Sequence, residues 1–433
     1  MCASGIGTWT GSATVSTPDM RRGLLPAGRD ADRLAVEAGF SSPRPGAGAY
    51  TIRVFEAAAD IERTAWDGLC ASCAAPVFMD LRFVAAVEAA MKSTCRFWFV
   101  IVYDDECRPA ACAGLTAMKV DFTDFGDRRV TWIVKYAPFL ARFRNMRMLF
   151  CSLPGSPGDR SLVIAPAADS GKVLALLHEF MLRLATEIGA DAVIFKEFAP
   201  TDLDAMKPLL GFGYQLVEIP AMHLLDPTFG GTFADYCAAL RTRYRQQVNK
   251  SVRKLKNSGI VSTVLTEPDA ILRKYTRETH ALYEEMTRKS DLRIEVLPYE
   301  YYCELVRRMD GRMELISLAR EDRIVAFGWC CCDDTTYHLM YAGVDYGLNK
   351  EFDLYFNLMY AGFDRALRKG VARIHVGQTA TVFKARMGCS HEQRYVYTKG
   401  VGFFMTNLFR LGSSLLVTKK PSSPPADIFK RPG

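Results

Sequence analysis

Residues 374–388, IHVGQTATVFKARMG, begin as a buried strand and end in a polar corner. Ile374 and Val376 alternate with His375, then Gly377-Gln378-Thr379 leads to Lys384, Arg386 and Gly388. Such a corner has the chemistry to hold an anion. Gly377 permits close approach of a backbone. Gln378 and Thr379 bring hydrogen-bonding groups to a strand end, where open α/β sheets bind their ligands. A lysine at its ordinary pKa near ~10.4 stays charged, so Lys384 is expected to anchor a carboxylate or phosphate, not to act as a base. Arg386 is a bidentate partner for the same anion. His375 is out of phase with its neighbours and reads as a satisfied core histidine on the opposite sheet layer.

Other chemistries are absent. No Ser-His-Asp order, zinc spacing, Walker loop or dinucleotide fingerprint occurs. The stretch GSPGDRS (155–161) lacks the lysine of a phosphate loop and reads as a surface turn or a lid. Thirteen cysteines are an odd number at irregular spacing, and Cys70-Ala-Ser-Cys73 is a lone CxxC. Reduced thiols, a cytoplasmic location and no metal are the expectation.

These residues need elements to place them. A chain of 433 residues exceeds one ordinary core, so two domains with tails are expected. Nearly half of it is apolar (49%) and 24% is charged, the balance of a globular protein. Residues 1–48 mix Gly, Ser and Thr without the layout of an export leader and read as a mostly disordered extension.

The net charge of +7 is one local feature. Residues 241–256 hold seven basic side chains and no acidic one, which leaves the remainder neutral. Leu240, Tyr244, Val248, Val252 and Leu255 recur at helical spacing, with the cations around the other arc. Arg241, Arg243, Arg245, Lys250 and Arg253 thus form either a solvated connecting helix or a polyanion surface for RNA or coenzyme A. Residues 402–420 are apolar but interrupted, too short to span a bilayer; they read as a docked amphipathic helix or a weak membrane-surface contact edged by Lys419 and Lys420.

The chain also resembles itself. Residues 100–114 and 315–329 share a strand, a charged turn and a second strand, so each reads as a hairpin. Residues 176–198 and 358–380 each form a helix stopped by a glycine, Gly189 or Gly370, and followed by a strand. Two tandem α/β domains fit this pattern better than one large sheet: 49–230 and 261–400, joined by the basic helix in 231–260 and trailed by 401–433.

The second half, with TYHLMYAGVDYGLNKEFDLYFNLMYAGFDRALRKG before ARIHVGQTATVFKARMG, resembles the GNAT-superfamily acyltransferases. Within them it is similar to the tandem group related to FemAB peptidyltransferases and to BioF2-like acetyltransferase domains. The resemblance covers roughly residues 50–400 and implies a mixed α/β sheet in two tandem GNAT-like folds. It further implies acylation of an amine acceptor in a cleft between splayed central strands, from an acyl-CoA or aminoacyl-tRNA donor. Lys384 and Gly388 match the family's Lys-to-Gly spacing, which makes Lys384 the leading site residue. Tyr341, in the family's Tyr-x-Gly strand ending, and Asp345 after it are the proton-transfer candidates, although Asp345 equally suits a helix cap. Glu197 with Lys196 occupies the matching strand end of the first copy. Neither copy carries the Q/R-x-x-G-x-G/A loop that holds a CoA pyrophosphate, which tilts the donor toward aminoacyl-tRNA. A rival class is a non-catalytic binder of nucleic acid or anionic membrane on a degenerate GNAT pair.

Overall fold

The computed structural model describes residues 7–9, 49–121, 145–290, 295–412 and 427–430. Both repeated hairpins form. Strands β3 (Cys95–Tyr103) and β4 (Pro109–Val120) pair antiparallel with Tyr103 opposite Pro109. Strands β10 (Met313–Arg320) and β11 (Arg323–Cys332) turn more tightly, with Arg320 opposite Arg323. The helix–glycine–strand units form as well. Helix Ser170–Glu187 ends before Gly189 (φ 64°) and leads to β7 (Ala192–Phe198). Helix Leu354–Lys369 ends on Gly370 (φ 70°) and leads to β13 (Arg373–His375). Each helix is the crossover that a parallel strand pair requires. It allows β5 (Met146–Cys151) to lie parallel to β7, and β12 (Thr336–Val344) parallel to β13.

The expected pair of separate sheets is corrected. All the strands among the described residues belong to one 14-stranded sheet. The remaining members are β1 (Gly7–Trp9), β2 (Thr51–Phe55), β6 (Leu162–Ile164), β8 (Gln215–Leu225), β9 (Ile260–Leu265) and β14 (Ser390–Gly400). Its order is β1-β2-β3-β4-β5-β7-β14-β8-β13-β12-β11-β10-β9, with β6 on β4. The last strand of each repeat crosses to the other: β14 pairs with β7, β8 pairs with β13, and β8 and β14 pair with each other. The exchange is cooperative for a plain reason. Without it the inner edges of β7 and β13 would lie unpaired; the exchange pairs both and leaves β1 and β9 as the outer strands. Fold class stands as a mixed α/β sheet of two tandem GNAT-like folds.

Beyond the sheet, helix Gly402–Gly412 rests on β14 through buried Met405 and Phe409 and leaves Phe403 and Phe404 exposed. Residues 413–420, with Lys419 and Lys420, lie outside the described residues, as do most of residues 1–48. Among the described residues no helix is long and apolar enough to cross a membrane.

One polar knot fixes the second repeat's helix to its sheet. Glu314 on β10 is buried and accepts from Arg365 Nε and Nη2 at 3.0 and 2.7 Å and from Tyr337 Oη at 2.8 Å, with Lys369 Nζ at 3.1 Å. Burial works against the carboxylate, but Arg365, Tyr337 and Lys369 together hold its pKa below the usual value. Removing one member of such a buried group strands the rest. Glu314→Ala is therefore expected to cost about 3–5 kcal/mol in urea unfolding. Because the folded pKa is lowered, that stabilisation is present above the ordinary glutamate range and fades as the pH falls through it.

Candidate active site

Strands β12 and β13 pair over three residues only, from Thr336 opposite Arg373 to His338 opposite His375. Beyond that point β12 continues to Val344 without β13 beside it. The chain leaving β13 turns away at Gly377, whose φ of 82° lies in the left-handed region that suits glycine. A Cβ there would stand 3.4 Å from Lys384 Nζ and 3.7 Å from the Leu339 carbonyl oxygen, ordinary contacts, so the backbone angle and not crowding calls for glycine.

A cavity of ≈ 220 Å³ fills the gap. Its walls carry Tyr341, Lys384, Gly377, Gln378 and Thr379 from the second repeat, and Lys196 and Glu197 from the first. The expected corner and the expected strand end of the other copy thus face one hollow. Two β-bulges explain which side chains reach it. On β7, Lys196 and Glu197 together stand opposite Val396 of β14. On β12, Met340 is extra between Leu339 and Tyr341, which pair with Cys330 and Trp329. A bulge breaks the in–out alternation of a strand and lets adjacent side chains turn the same way.

Lys384 sits in the short helix Thr381–Ala385 and is 2 % exposed. Among the described residues no carboxylate pairs with it. Burial pushes its pKa down to about 7. A lysine poised there can exchange a proton near neutral pH as well as hold an anion. His223 of β8 lies behind it, with Nδ1 2.9 Å from the Gly377 carbonyl oxygen and Nε2 buried without a partner. Burial, reinforced by the nearby Lys384, holds His223 down to about 4, so it is a neutral imidazole.

The opposite wall is a buried charge cluster. Lys196 Nζ lies 3.1 Å from Glu295 Oε1 and 3.5 Å from Glu197 Oε1. Glu197 Oε2 accepts from Gln378 Nε2 at 2.8 Å, which joins the two repeats across the cavity. Desolvation raises the Glu197 pKa against the pull of Lys196. Lys196 itself is raised: burial opposes its charge, but Glu295 and Glu197 outweigh it. Glu197 also holds φ 73°, a strained conformation for a non-glycine residue of the kind that concentrates at functional sites. Tyr341 packs near Tyr283 and Tyr302, and burial raises its phenol, so it stays protonated and serves as a hydrogen-bonding group, not as a base.

Two expected site residues are elsewhere. The Asp345 carboxylate caps helix Tyr346–Phe352, accepting from the Gly347 and Leu348 N–H groups at 2.9 and 3.3 Å, with Arg323 at 3.5 Å. It does not line the cavity. Arg386 is exposed and donates to Gln247 Oε1 at 3.2 Å, joining the basic helix instead of the cavity anion site. The helix Thr242–Lys256 packs its buried Val248 and Ser251 inward. Arg241 pairs with Asp427, and Lys254 with Asp353 at 2.9 Å. Arg243, Lys250 and Arg253 are exposed and Arg245 is half-buried, with no carboxylate partner among the described residues.

The stretch GSPGDRS is not a surface turn. Ser152, Leu153, Pro154, Gly155 and Ser156 are buried, wedged between the repeats. The Gly155 N–H donates to Glu295 Oε2 at 2.8 Å, Tyr301 Oη donates to the Gly155 carbonyl at 3.1 Å, and Arg394 Nε to that of Gly158 at 2.6 Å. Gly155 has φ 75°, and a Cβ there would overlap the Tyr301 hydroxyl. Sequence reasoning missed Glu295 and Tyr283, which carry no local signal. It also missed His223, whose one sign was a polar residue within the apolar end of its strand, AMHLL.

Comparisons with known proteins agree with this architecture. Residues 242–385 match the family described as Acetyltransferase (GNAT) domain. No curated protein matches the chain in sequence. Among solved structures the chain is similar to FemX, at 10% identity, a TM-score of 0.52, and coverage of 82% of this chain and 98% of that one. It is likewise similar to a tandem GNAT protein from the clavulanic acid biosynthesis pathway, at 13% identity, a TM-score of 0.51, and coverage of 81% and 99%. At these identities the likeness is one of fold. The chain has the fold of the tandem GNAT and FemAB-like group, and its residues 242–385 match the model of the GNAT acetyltransferase domain.

A buried, depressed lysine has a cost that can be measured. Below about pH 7 the folded and unfolded chains both hold the proton, and the burial penalty is fully present. Between about 7 and the unfolded value of ~10.4 only the unfolded chain holds it, so stability rises with pH. Lys384→Met is expected to stabilise the protein by a few kcal/mol at pH 6 in urea unfolding, with the gain shrinking as the pH approaches 10. A variant less stable than the parent at pH 6 would contradict the placement.

Proposed function

We propose that the protein transfers an acyl group from a polyanionic carrier to an amine of a small molecule or peptide, with Lys384 as the proton shuttle. The observation that carries this reading is a desolvated lysine, poised near 7, at the open end of a parted strand pair. Aminolysis needs little from a protein. The attacking nitrogen must lose a proton, the leaving oxygen or sulfur must gain one, and the reactants must be aligned. Neutral Lys384 accepts the proton from the amine and returns it to the leaving group, so the protons balance. The edge of β12 beyond His338, where β13 no longer runs beside it, offers backbone donors for the acyl oxygen as it becomes negative. Gln378 and Glu197, held together across the cavity, position the acceptor amine from the other wall.

For the donor we favour an aminoacyl ester of tRNA over an acyl-CoA thioester. In a GNAT fold of the ordinary kind the pyrophosphate lies at the helix start after β12. Here the Asp345 carboxylate caps that helix start, accepting from its Gly347 and Leu348 N–H groups, and its own negative charge repels phosphate. Cations without carboxylate partners lie on the basic helix instead, which Arg386 links to the Lys384 segment. That arrangement suits a long polyanion whose reactive end reaches the cavity.

The test is acyl transfer from charged tRNA and, in parallel, from a series of acyl-CoAs to a panel of primary amines. Transfer from charged tRNA is expected, with Lys384→Ala lowering kcat by about 10²–10⁴-fold while tRNA affinity is unchanged. In the parent the rate should fall about tenfold per pH unit below 7, because only the neutral amine is a base. Replacing Arg243, Lys250 and Arg253 by Gln should instead weaken tRNA binding and flatten its salt dependence. Full activity in Lys384→Ala would sink the catalytic reading, and tRNA binding without any transfer would favour the binder.

A further inference from the structure

His338 and His375 are the last register pair before β12 and β13 part, so their side chains leave the sheet on one face, side by side. Their rings meet edge to face at 4.7 Å. Asp159, from the wedged loop of the first repeat, comes down on both. Its Oδ2 lies 3.6 Å from His375 Nδ1 and 3.8 Å from His338 Nδ1. All three atoms are buried, and none has a hydrogen-bond partner. His338 is 3 % exposed, and the ring of Phe78 closes its side at 5.0 Å.

Single buried polar atoms without partners occur elsewhere in the fold, but three converging on one point are costly together. The second nitrogen of His338 shows what is missing. Its Nε2 faces Asp333 Oδ2 at 3.4 Å. Asp333 in turn accepts from the Thr335 and Thr336 N–H groups, both at 2.8 Å. A carboxylate held in that way takes the Nε2–H, which leaves a lone pair on Nδ1 aimed at the Asp159 oxygen. Two acceptors then face each other, and at 3.8 Å even a proton on Nδ1 would make no hydrogen bond.

We infer that Asp159, His338 and His375 bind a divalent transition-metal ion, zinc being the one their donors suit, and that this ion ties the first repeat's loop to the point where the second repeat's strands part. Two imidazole nitrogens and a carboxylate oxygen are a zinc donor set with one position open. The three atoms lie within 4.8 Å of one another. Ligands ~2.0–2.1 Å from a tetrahedral ion stand about 3.4 Å apart, so small movements would close the site. Asp333 behind His338 is the outer carboxylate that orients a metal-bound imidazole. None of these residues lines the cavity, so the ion acts on the shape of the gap and not on the reacting atoms.

The test is metal uptake by the full chain after chelator treatment, with Zn²⁺ for affinity and Co²⁺ for its ligand-field spectrum. One equivalent should bind, with the intense visible bands of low-coordinate Co²⁺. The cysteines can take up zinc elsewhere, so the reading is the difference between the parent and its variants. His338→Ala and His375→Ala should lose the bands and at least 10²-fold in affinity, and the near-isosteric Asp159→Asn should do the same if either fails to fold. Asp333→Asn, an outer change, should cost about 10–100-fold. A folded parent that binds Zn²⁺ and Co²⁺ no more tightly than Asp159→Asn would overturn the inference.

Discussion

The structure turns on the early parting of two parallel strands. Strands β12 and β13 hold together for three residue pairs and then separate, and nothing in the sheet refills the gap. An opening inside a continuous sheet leaves backbone groups without strand partners, a state that a core does not tolerate without help. The help comes from the other repeat. Its loop at 152–160 is wedged against the parting point, its strand β8 covers the far side of β13, and its bulged β7 turns Lys196 and Glu197 into the hollow. The cavity is thus a joint product of both halves, and neither half alone has its walls.

That dependence explains the reciprocal exchange of final strands. With β14 beside β7 and β8 beside β13, the two repeats cannot shift relative to each other without breaking ladder hydrogen bonds. The position of Glu197 against Gln378 is fixed accordingly. Strain at Glu197 and the burial of the Lys384 amine are two local penalties that this rigid frame carries. Both lie in the cavity, where a proton and a negative oxygen would have to be managed.

Local patterns were legible in the sequence, and long-range geometry was not. The hairpins, the helix–glycine–strand units and the Gly377–Lys384 corner follow from periodicity, turn residues and spacing. The swap of β8 and β14 leaves no trace in either strand, because an exchanged strand has the same alternation as one that stays home. The stretch GSPGDRS looked solvent-facing by composition, yet its polar backbone is satisfied by Glu295, Tyr301 and Arg394, residues 140 or more positions away. Asp345 and Arg386 have the right chemistry and the wrong direction: a helix cap takes one, and the basic helix takes the other. Lys384 does line the cavity, but its burial, which lowers its pKa, cannot be read from spacing. His375 was correctly set on the opposite layer from Ile374 and Val376, but its Nδ1 is not satisfied.

The account stands or falls on the protonation of one amine. Selective isotopic labelling of lysine side chains, with the Lys384 resonance assigned by its loss in Lys384→Met, reports that titration directly in the resting protein. A midpoint near 7, well apart from the other lysines, is the expected result. A midpoint near ~10.4, the value of a solvated lysine, would leave Lys384 a simple cation and contradict the proton-shuttle reading at its source.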